Sequence, residues 1–225
     1  MNILALETAT PACALGLRTD DGFEVGWVVD DDRHHTEVLT ASLARLLKEA
    51  GLRVRDLDRV VVDRGPGLFT GLRVGLATAL GLSEATGCAL VGVTSLELLA
   101  RGAHAGGVRG TLVSVVDARR SEVFTQRFRL DDEVTALGEA EVATPRAVAI
   151  EWATNGAAVT FTGDGAARYR GDLSVVPNAV IEEQMVPSVA AALELGARRE
   201  PIARVEALYL READAVANFT TRQRS

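Results

Sequence analysis

Lysine is almost missing from this 225-residue chain: Lys48 stands alone among basic residues that are otherwise arginine. That scarcity excludes a phosphate-binding P-loop, because no lysine follows any of the glycine turns. Only two cysteines occur, Cys13 and Cys88, far apart and without a C-x-x-C neighbour, so neither a disulfide framework nor a thiolate metal site is expected. No apolar run reaches the ~18–20 residues a membrane helix needs, since the most apolar segment, 68–82, is broken by Arg73. The opening Met-Asn-Ile-Leu-Ala-Leu-Glu has no basic region and meets an acid at once. No secretory leader is expected from it, and the cytoplasm is the expected compartment. A formal net charge of −7 argues against a chain that grips nucleic acid unaided, because the phosphates would be repelled.

Hydrophobic residues make up 48% of the chain, enough for a core in one large domain or two small ones. Residues 2–6, 12–18 and 23–29 read as three consecutive antiparallel strands, the last two joined by an Asp20-Asp21-Gly22 turn. Val38, Leu39, Leu43, Leu46, Leu47 and Ala50 then mark one face of a helix that ends at Gly51. Val60–Val62 is a strand, 89–93 another, and a short helix runs from Ser95 to about Arg101. The small, glycine-rich 103–110 stretch reads as a boundary, placing one domain at 1–104 and a second at 105–225. In the second, 112–116 and 122–128 read as strands and Asp131-Asp132 turns into a weaker third. A helix follows near 144–154, then a strand at 158–162, a Gly163-Asp164-Gly165 turn and a final helix at about 187–199. The segment after it has the option of packing back on the first domain.

Residues 63–75, Asp-Arg-Gly-Pro-Gly-Leu-Phe-Thr-Gly-Leu-Arg-Val-Gly, are the most informative stretch. A β-branched run precedes them, and Leu72, Leu76, Leu80 and Leu82 follow at helical spacing up to Gly87. Strand, tight glycine turn and helix N-terminus together aim backbone N–H groups at one spot, which suits an anion or a closely approaching backbone; a plain turn is the simpler alternative. The dinucleotide fingerprint fails, since after Gly65 and Gly67 the third glycine, Gly71, comes one position late. Candidate contacts for a nucleotide or anion are Thr8, Gly65, Gly67 and Thr70. Gly71, Gly75 and Ala79 strip one helical face of bulk, and each glycine costs a helix about 1 kcal/mol against alanine, so the face wants a packing reason. Two partners fit: the chain's own sheet, or an external helix pair meeting Val38, Leu39, Leu43, Leu46, Leu47, Gly71, Gly75, Ala79 and Leu82.

The two halves share an order of strand, acid, short turn, strand and Asp-Asp turn. Glu7 precedes Asp20 by 13 residues and Asp117 precedes Asp131 by 14, about 110 residues further on. A duplicated unit of this kind is the layout of the actin, Hsp70 and hexokinase-like α/β fold, two RNase H-like domains with mixed sheets.

Several segments make the resemblance specific: Ile3-Leu4-Ala5-Leu6-Glu7-Thr8-Ala9-Thr10, Arg33-His34-His35-Thr36-Glu37, 65–73, Val93-Thr94-Ser95-Leu96-Glu97, Val116-Asp117-Ala118-Arg119 and 201–211. With them the chain resembles the TsaB family, the companion of the enzyme that installs threonylcarbamoyl on N6 of adenosine 37, next to the anticodon of tRNAs. Glu7 departs from the family's usual Asp and Leu68 from its commoner Ser. The resemblance implies a noncatalytic scaffold that pairs with the catalytic subunit TsaD, with TsaE in the same assembly and tRNA met only through the complex. It places ATP or ADP and a metal ion in partner subunits and no cofactor in this chain alone. An exposed apolar helix face would equally allow a homodimer.

No catalytic residue is expected. The H-x-x-x-H metal helix of TsaD has no counterpart, because His34 and His35 are adjacent and diverge by roughly 100° on a helix; His104 reads as a solvated loop residue. Ser95 and Thr70 have no His and carboxylate that spacing places beside them. Glu7 and Asp117 read first as acids capping turns, with a catalytic acid pair as the alternative, and Asp117-Ala118-Arg119-Arg120 is bulky where a phosphate cradle wants glycine. The alternative is an independent ATP-dependent transferase or kinase of the actin-like class; a metallopeptidase is a third reading that the missing ligand pair disfavours.

Overall fold

The computed structural model describes residues 1–29 and 35–210. β1 (Ile3–Glu7) is buried along its whole length, as a strand covered on both faces must be. It pairs antiparallel with β2 (Cys13–Arg18), which pairs antiparallel with the edge strand β3 (Glu24–Val29). α1 (His35–Glu49) follows, then β4 (Arg59–Asp63), α2 (Phe69–Thr86) and β5 (Ala89–Val93). β4 runs parallel to β1 and β5 parallel to β4, so the first sheet has the order β3-β2-β1-β4-β5. α2 stops where Gly87 takes a left-handed φ of 75° and returns its N–H to Ser83.

Side chains alternate along the strands, and each face of the first sheet receives its own cover. Leu4, Leu6, Val60 and Val62 meet α1 and α2, while Ile3, Ala5, Val61 and Val91 meet α7 (Val189–Arg198). α7 therefore belongs in space to the first sheet, although in sequence it follows the strands of the second. Its approach is close: a Cβ on Gly196 would lie 2.2 Å from Val61 Cγ2. Residues 201–210 continue along the β5 edge, with Ile202 donating to the Leu90 carbonyl at 2.9 Å and Leu208 to that of Arg64 at 2.7 Å. Val205 is buried in the first core and Leu210 packs against the second.

α3 (Ser95–Ala105) is shared between the halves, since Leu98 faces the α7 layer while Leu96, Leu99 and Ala103 face the second sheet. It runs through 103–105, which the composition reads as boundary loop, and the chain turns only at Gly106 and Gly107. The second sheet is built from β6 (Gly110–Arg119), β7 (Glu122–Leu130), β8 (Val134–Ala136), β10 (Val159–Thr162) and β11 (Ala179–Ile181). Its order is β11-β10-β6-β7-β8, with β9 (Glu141–Ala143) also on β7. Counted outward from β6, two antiparallel strands lie on one side and two parallel strands on the other, the same arrangement as around β1. α4 (Pro145–Asn155), α5 (Asp164–Arg168) and α6 (Arg170–Leu173) cover its outer face through Val148, Trp152, Ala166 and Leu173. The Gly163-Asp164-Gly165 turn is in fact the entry to α5, too short a helix to show a periodic pattern in sequence.

Candidate functional site

The ends of β1 and β4 and the loop between β4 and α2 form one buried knot. Asp63 Oδ1 accepts the Gly65 N–H at 2.7 Å, and the Ser95 hydroxyl lies 3.0 Å from that oxygen and 2.9 Å from the Pro66 carbonyl. Gly65 has φ +101° and is joined to Pro66 by a cis peptide. A Cβ at Gly67 would sit 2.2 Å from the Ala9 carbonyl oxygen, and that same oxygen accepts the Leu68 N–H at 2.7 Å. The backbone that approaches the glycine turn is thus the chain's own β1–β2 turn. Thr8, 1% exposed, donates its hydroxyl to the Gly71 carbonyl at 2.8 Å. Thr8, Gly65 and Gly67, candidates for a nucleotide or anion, are engaged within the chain, by Gly71, Asp63 and the Ala9 backbone in turn; Thr70 alone of the four is exposed, on the first turn of α2.

The expected partner surface is likewise corrected. Val38, Leu39, Leu43, Leu46 and Leu47 are buried in the first core, Gly71, Gly75 and Ala79 are buried on α2, and Leu82 packs against the same core. Gly75 faces Thr8, whose Oγ1 lies 2.4 Å from the position of a Cβ, so the small-residue stripe serves the chain's own sheet. Both helices lie on the face bearing Leu4, Leu6, Val60 and Val62, and covering that face consumes their apolar stripes. What α2 turns outward is a different row: Phe69, Arg73, Ala77, Gly81 and Ala85 at steps of four, with Leu80 beside it. Phe69 stacks on Tyr209 at 5.6 Å between centroids, and the Arg73 guanidinium sits 3.7 Å over its ring. The i, i+4 spacing of this second row is legible in sequence once the inward face is assigned.

Two acids end the first sheet's inner strands. Glu7 is fully buried, its Oε1 accepting the Ala9 N–H at 2.9 Å and its Oε2 lying 3.4 Å from the Thr10 hydroxyl. Burial, then the neighbouring Asp63, hold its carboxyl well above the ordinary carboxylate range. Burial also pushes Asp63 up to about 7. Burial, reinforced by Glu7, pushes the Cys13 thiol to about 12, which leaves it an inert small hydrophobe at neutral pH.

The second sheet repeats the arrangement. Asp117 accepts the Arg119 N–H at 3.0 Å, as Glu7 accepts that of Ala9, and its own N–H donates to Asp164 Oδ1 at 3.1 Å. Asp164 follows the end of β10 as Asp63 ends β4, and burial raises it to about 6. Asp117 also pairs with Arg119 at 3.0 Å and Arg168 at 3.6 Å. Arg119, Arg120 and Ser121 turn the β6–β7 hairpin with φ of 63°, 54° and 61°, a left-handed run built without glycine. Arginine side chains stand there, where a phosphate cradle would leave space.

His34 lies outside the described residues, as does the side chain of His35. His104 is not in a loop: it sits on the last turn of α3, its Nε2 2.8 Å from the Asp131 carbonyl. Among the described residues, no three His, Cys, Asp or Glu side chains gather into a metal-holding group, and no helix is long and apolar enough to cross a membrane.

Two mixed sheets that share a five-strand order, each with an acid closing its first strand and another at or just after the end of the parallel strand beside it (Asp63 ending β4, Asp164 after β10), define a protein of the actin-like ATPase fold. Residues 30–217 match the family model of TsaD, tRNA N6-adenosine threonylcarbamoyltransferase, and the chain belongs to that family. It is 42% identical over 128 residues to an uncharacterized protein of Mycobacterium tuberculosis, covering 56% of this chain and 58% of that one. To the tRNA threonylcarbamoyladenosine biosynthesis protein TsaB of Escherichia coli it is 31% identical over 139 residues, 62% of this chain and 60% of that protein. The chain thus spans about three-fifths of the length of these two curated relatives. The solved structure of YeaZ from Pseudomonas aeruginosa superposes with a TM-score of 0.80 at 28% identity, over 93% of this chain and 99% of that one.

Proposed function

We propose that this chain is a TsaB-type scaffold subunit of the machinery that transfers threonylcarbamoyl to N6 of adenosine 37 in tRNA, and that it performs no chemistry unaided. It acts in the cytoplasm by pairing with a TsaD-type catalytic subunit, with a TsaE-type ATPase in the same assembly; ATP or ADP and the metal ion reside in those partners, and tRNA is met only through the complex. The observation that carries the reading is the contrast at α2. Its inward side is locked to the sheet by contacts that close the glycine turn, while its outward row of Phe69, Arg73, Ala77, Leu80 and Gly81 stays open to a neighbour. Aromatic and arginine side chains flanking small residues are the composition of an interface anchor, and a Cβ at Gly81 would meet nothing within 4 Å of the chain itself. The same row would serve a homodimer when the catalytic subunit is absent.

The test is association. Mixed with a TsaD-type subunit, the chain should elute as a heterodimer; Gly81→Leu and Leu80→Asp should weaken it while leaving the fold intact by circular dichroism. Unchanged association in both variants would refute this surface. Calorimetry with ATP and magnesium separates the other reading, because tight binding with turnover by the isolated chain would make it an actin-like transferase or kinase in its own right.

A further inference from the structure

The knot behind the glycine turn contains two acids that reach no solvent. Parallel pairing sets Leu6 beside Val62, so the next residues, Glu7 and Asp63, close their strands side by side. Both are 0% exposed. Glu7 Oε1 takes the Ala9 N–H and Asp63 Oδ1 takes the Gly65 N–H. Asp63 Oδ2, in contrast, is the buried side-chain polar atom that finds no hydrogen-bond partner among the described residues. Two ionised carboxylates cannot stand together in a dry site, and a buried charged oxygen without a donor is costly. The titratable groups facing the pair are each other and the Cys13 thiol of β2; the hydroxyls of Thr10, beside Glu7, and of Ser95 from α3, beside Asp63, complete the shell.

We propose that Glu7 and Asp63 hold one proton between them, carried on Glu7 and donated to Asp63 Oδ2, so that the pair bears a single negative charge. The proton supplies the one donor the cluster lacks. Through the bonds already made by each acid it ties three segments together: the β1–β2 turn at Ala9, the glycine turn at Gly65 and the start of α3 at Ser95. Burial and mutual proximity raise both groups, in the direction a shared proton requires. The result is a clasp sensitive to alkali: loss of the proton puts a second negative charge in the knot and loosens the turn on which the α2 N-terminus stands.

The experiment is a pH titration of the full chain carrying ¹³C at Glu and Asp side-chain carboxyls. One glutamate resonance, identified by its loss in Glu7→Gln, should stay in the protonated position when the surface glutamates have ionised, and should move near or above neutral pH together with one aspartate resonance. Amide exchange at Gly65 and Leu68, expressed relative to its base-catalysed intrinsic rate, should accelerate over that same interval in the wild type. In Glu7→Gln the amide donates permanently to Asp63, so that acceleration should disappear. A wild-type spectrum in which every glutamate titrates together in the ordinary range overturns the proposal, whatever the variant does. So does accelerated exchange that persists unchanged in a folded Glu7→Gln protein.

Discussion

Replacing Gly75 by alanine tests whether the small-residue stripe of α2 faces inward. On an exposed helix the exchange gains about 1 kcal/mol from helix propensity. Here the new methyl would lie 2.4 Å from Thr8 Oγ1, well inside contact. Thr8 is β-branched and stiff about χ1, and its hydroxyl is committed to the Gly71 carbonyl at 2.8 Å, so it has no cheap way to move. Overpacking costs about 1–3 kcal/mol, and breaking a buried hydrogen bond costs about another 1–3 kcal/mol. Set against the propensity gain, Gly75→Ala should lose about 1–5 kcal/mol, or about 2–4 °C of Tm for each kcal/mol at this chain length. The sign should reverse in a Thr8→Ala background, where the nearest remaining Thr8 atom, Cβ, is 3.6 Å away and the contact is ordinary. Denaturant midpoints for the four proteins of this cycle give the coupling directly. Stabilisation by Gly75→Ala in the wild-type background, or the same change in both backgrounds, would refute the inward assignment.

Gly81→Ala, six residues further along and on the outward row, should instead stabilise by about 1 kcal/mol, measured by the same denaturant series. Gly67→Ala forces a methyl against the Ala9 carbonyl oxygen at 2.2 Å, a backbone clash that no rotamer relieves; we expect loss of cooperative unfolding in circular dichroism. Stability should fall between about pH 4 and 7, because Asp164 and Asp63 are raised by burial from their ordinary 3.8 to about 6 and about 7. Each contributes fully below its ordinary pKa and loses that contribution as pH rises through the folded value. Asp164→Asn keeps an acceptor for the Asp117 N–H and should remove about 3 kcal/mol of that slope, visible as a flatter plot of urea midpoint against pH. Tyr209→Ala removes a stack worth about 0.5–1.5 kcal/mol and should speed amide exchange at Leu208, whose N–H bonds Arg64.

Much of the fold was legible because it follows from local pattern. Continuous apolar runs such as Ile3–Leu6 and Val60–Val62 mark strands covered on both faces, and Gly87 ends α2 where a left-handed residue is needed. The spacing of Glu7 from Asp20 and of Asp117 from Asp131 exposed the duplication, since a repeated unit repeats its turns. The short elements β9, β11, α5 and α6 were not legible, because three to five residues carry too little periodicity to distinguish from loop.

The candidate site divides along the same line. Composition and spacing alone marked 63–75 as a glycine turn and Glu7 and Asp117 as acids at turns after strands; the structure adds that each caps the N–H two residues further on. Only the tertiary structure decided what the glycines admit, because α2 has two rows of small residues and its own sequence favours neither side. The deciding contact is Thr8 against Gly75, 67 residues apart. α7 as the second cover of the first sheet, and the meeting of Glu7 with Asp63, likewise come from pairings between distant segments. Local pattern states which residues want burial; which partner buries them is settled by long-range packing and strand register, and those are properties of the whole folded chain.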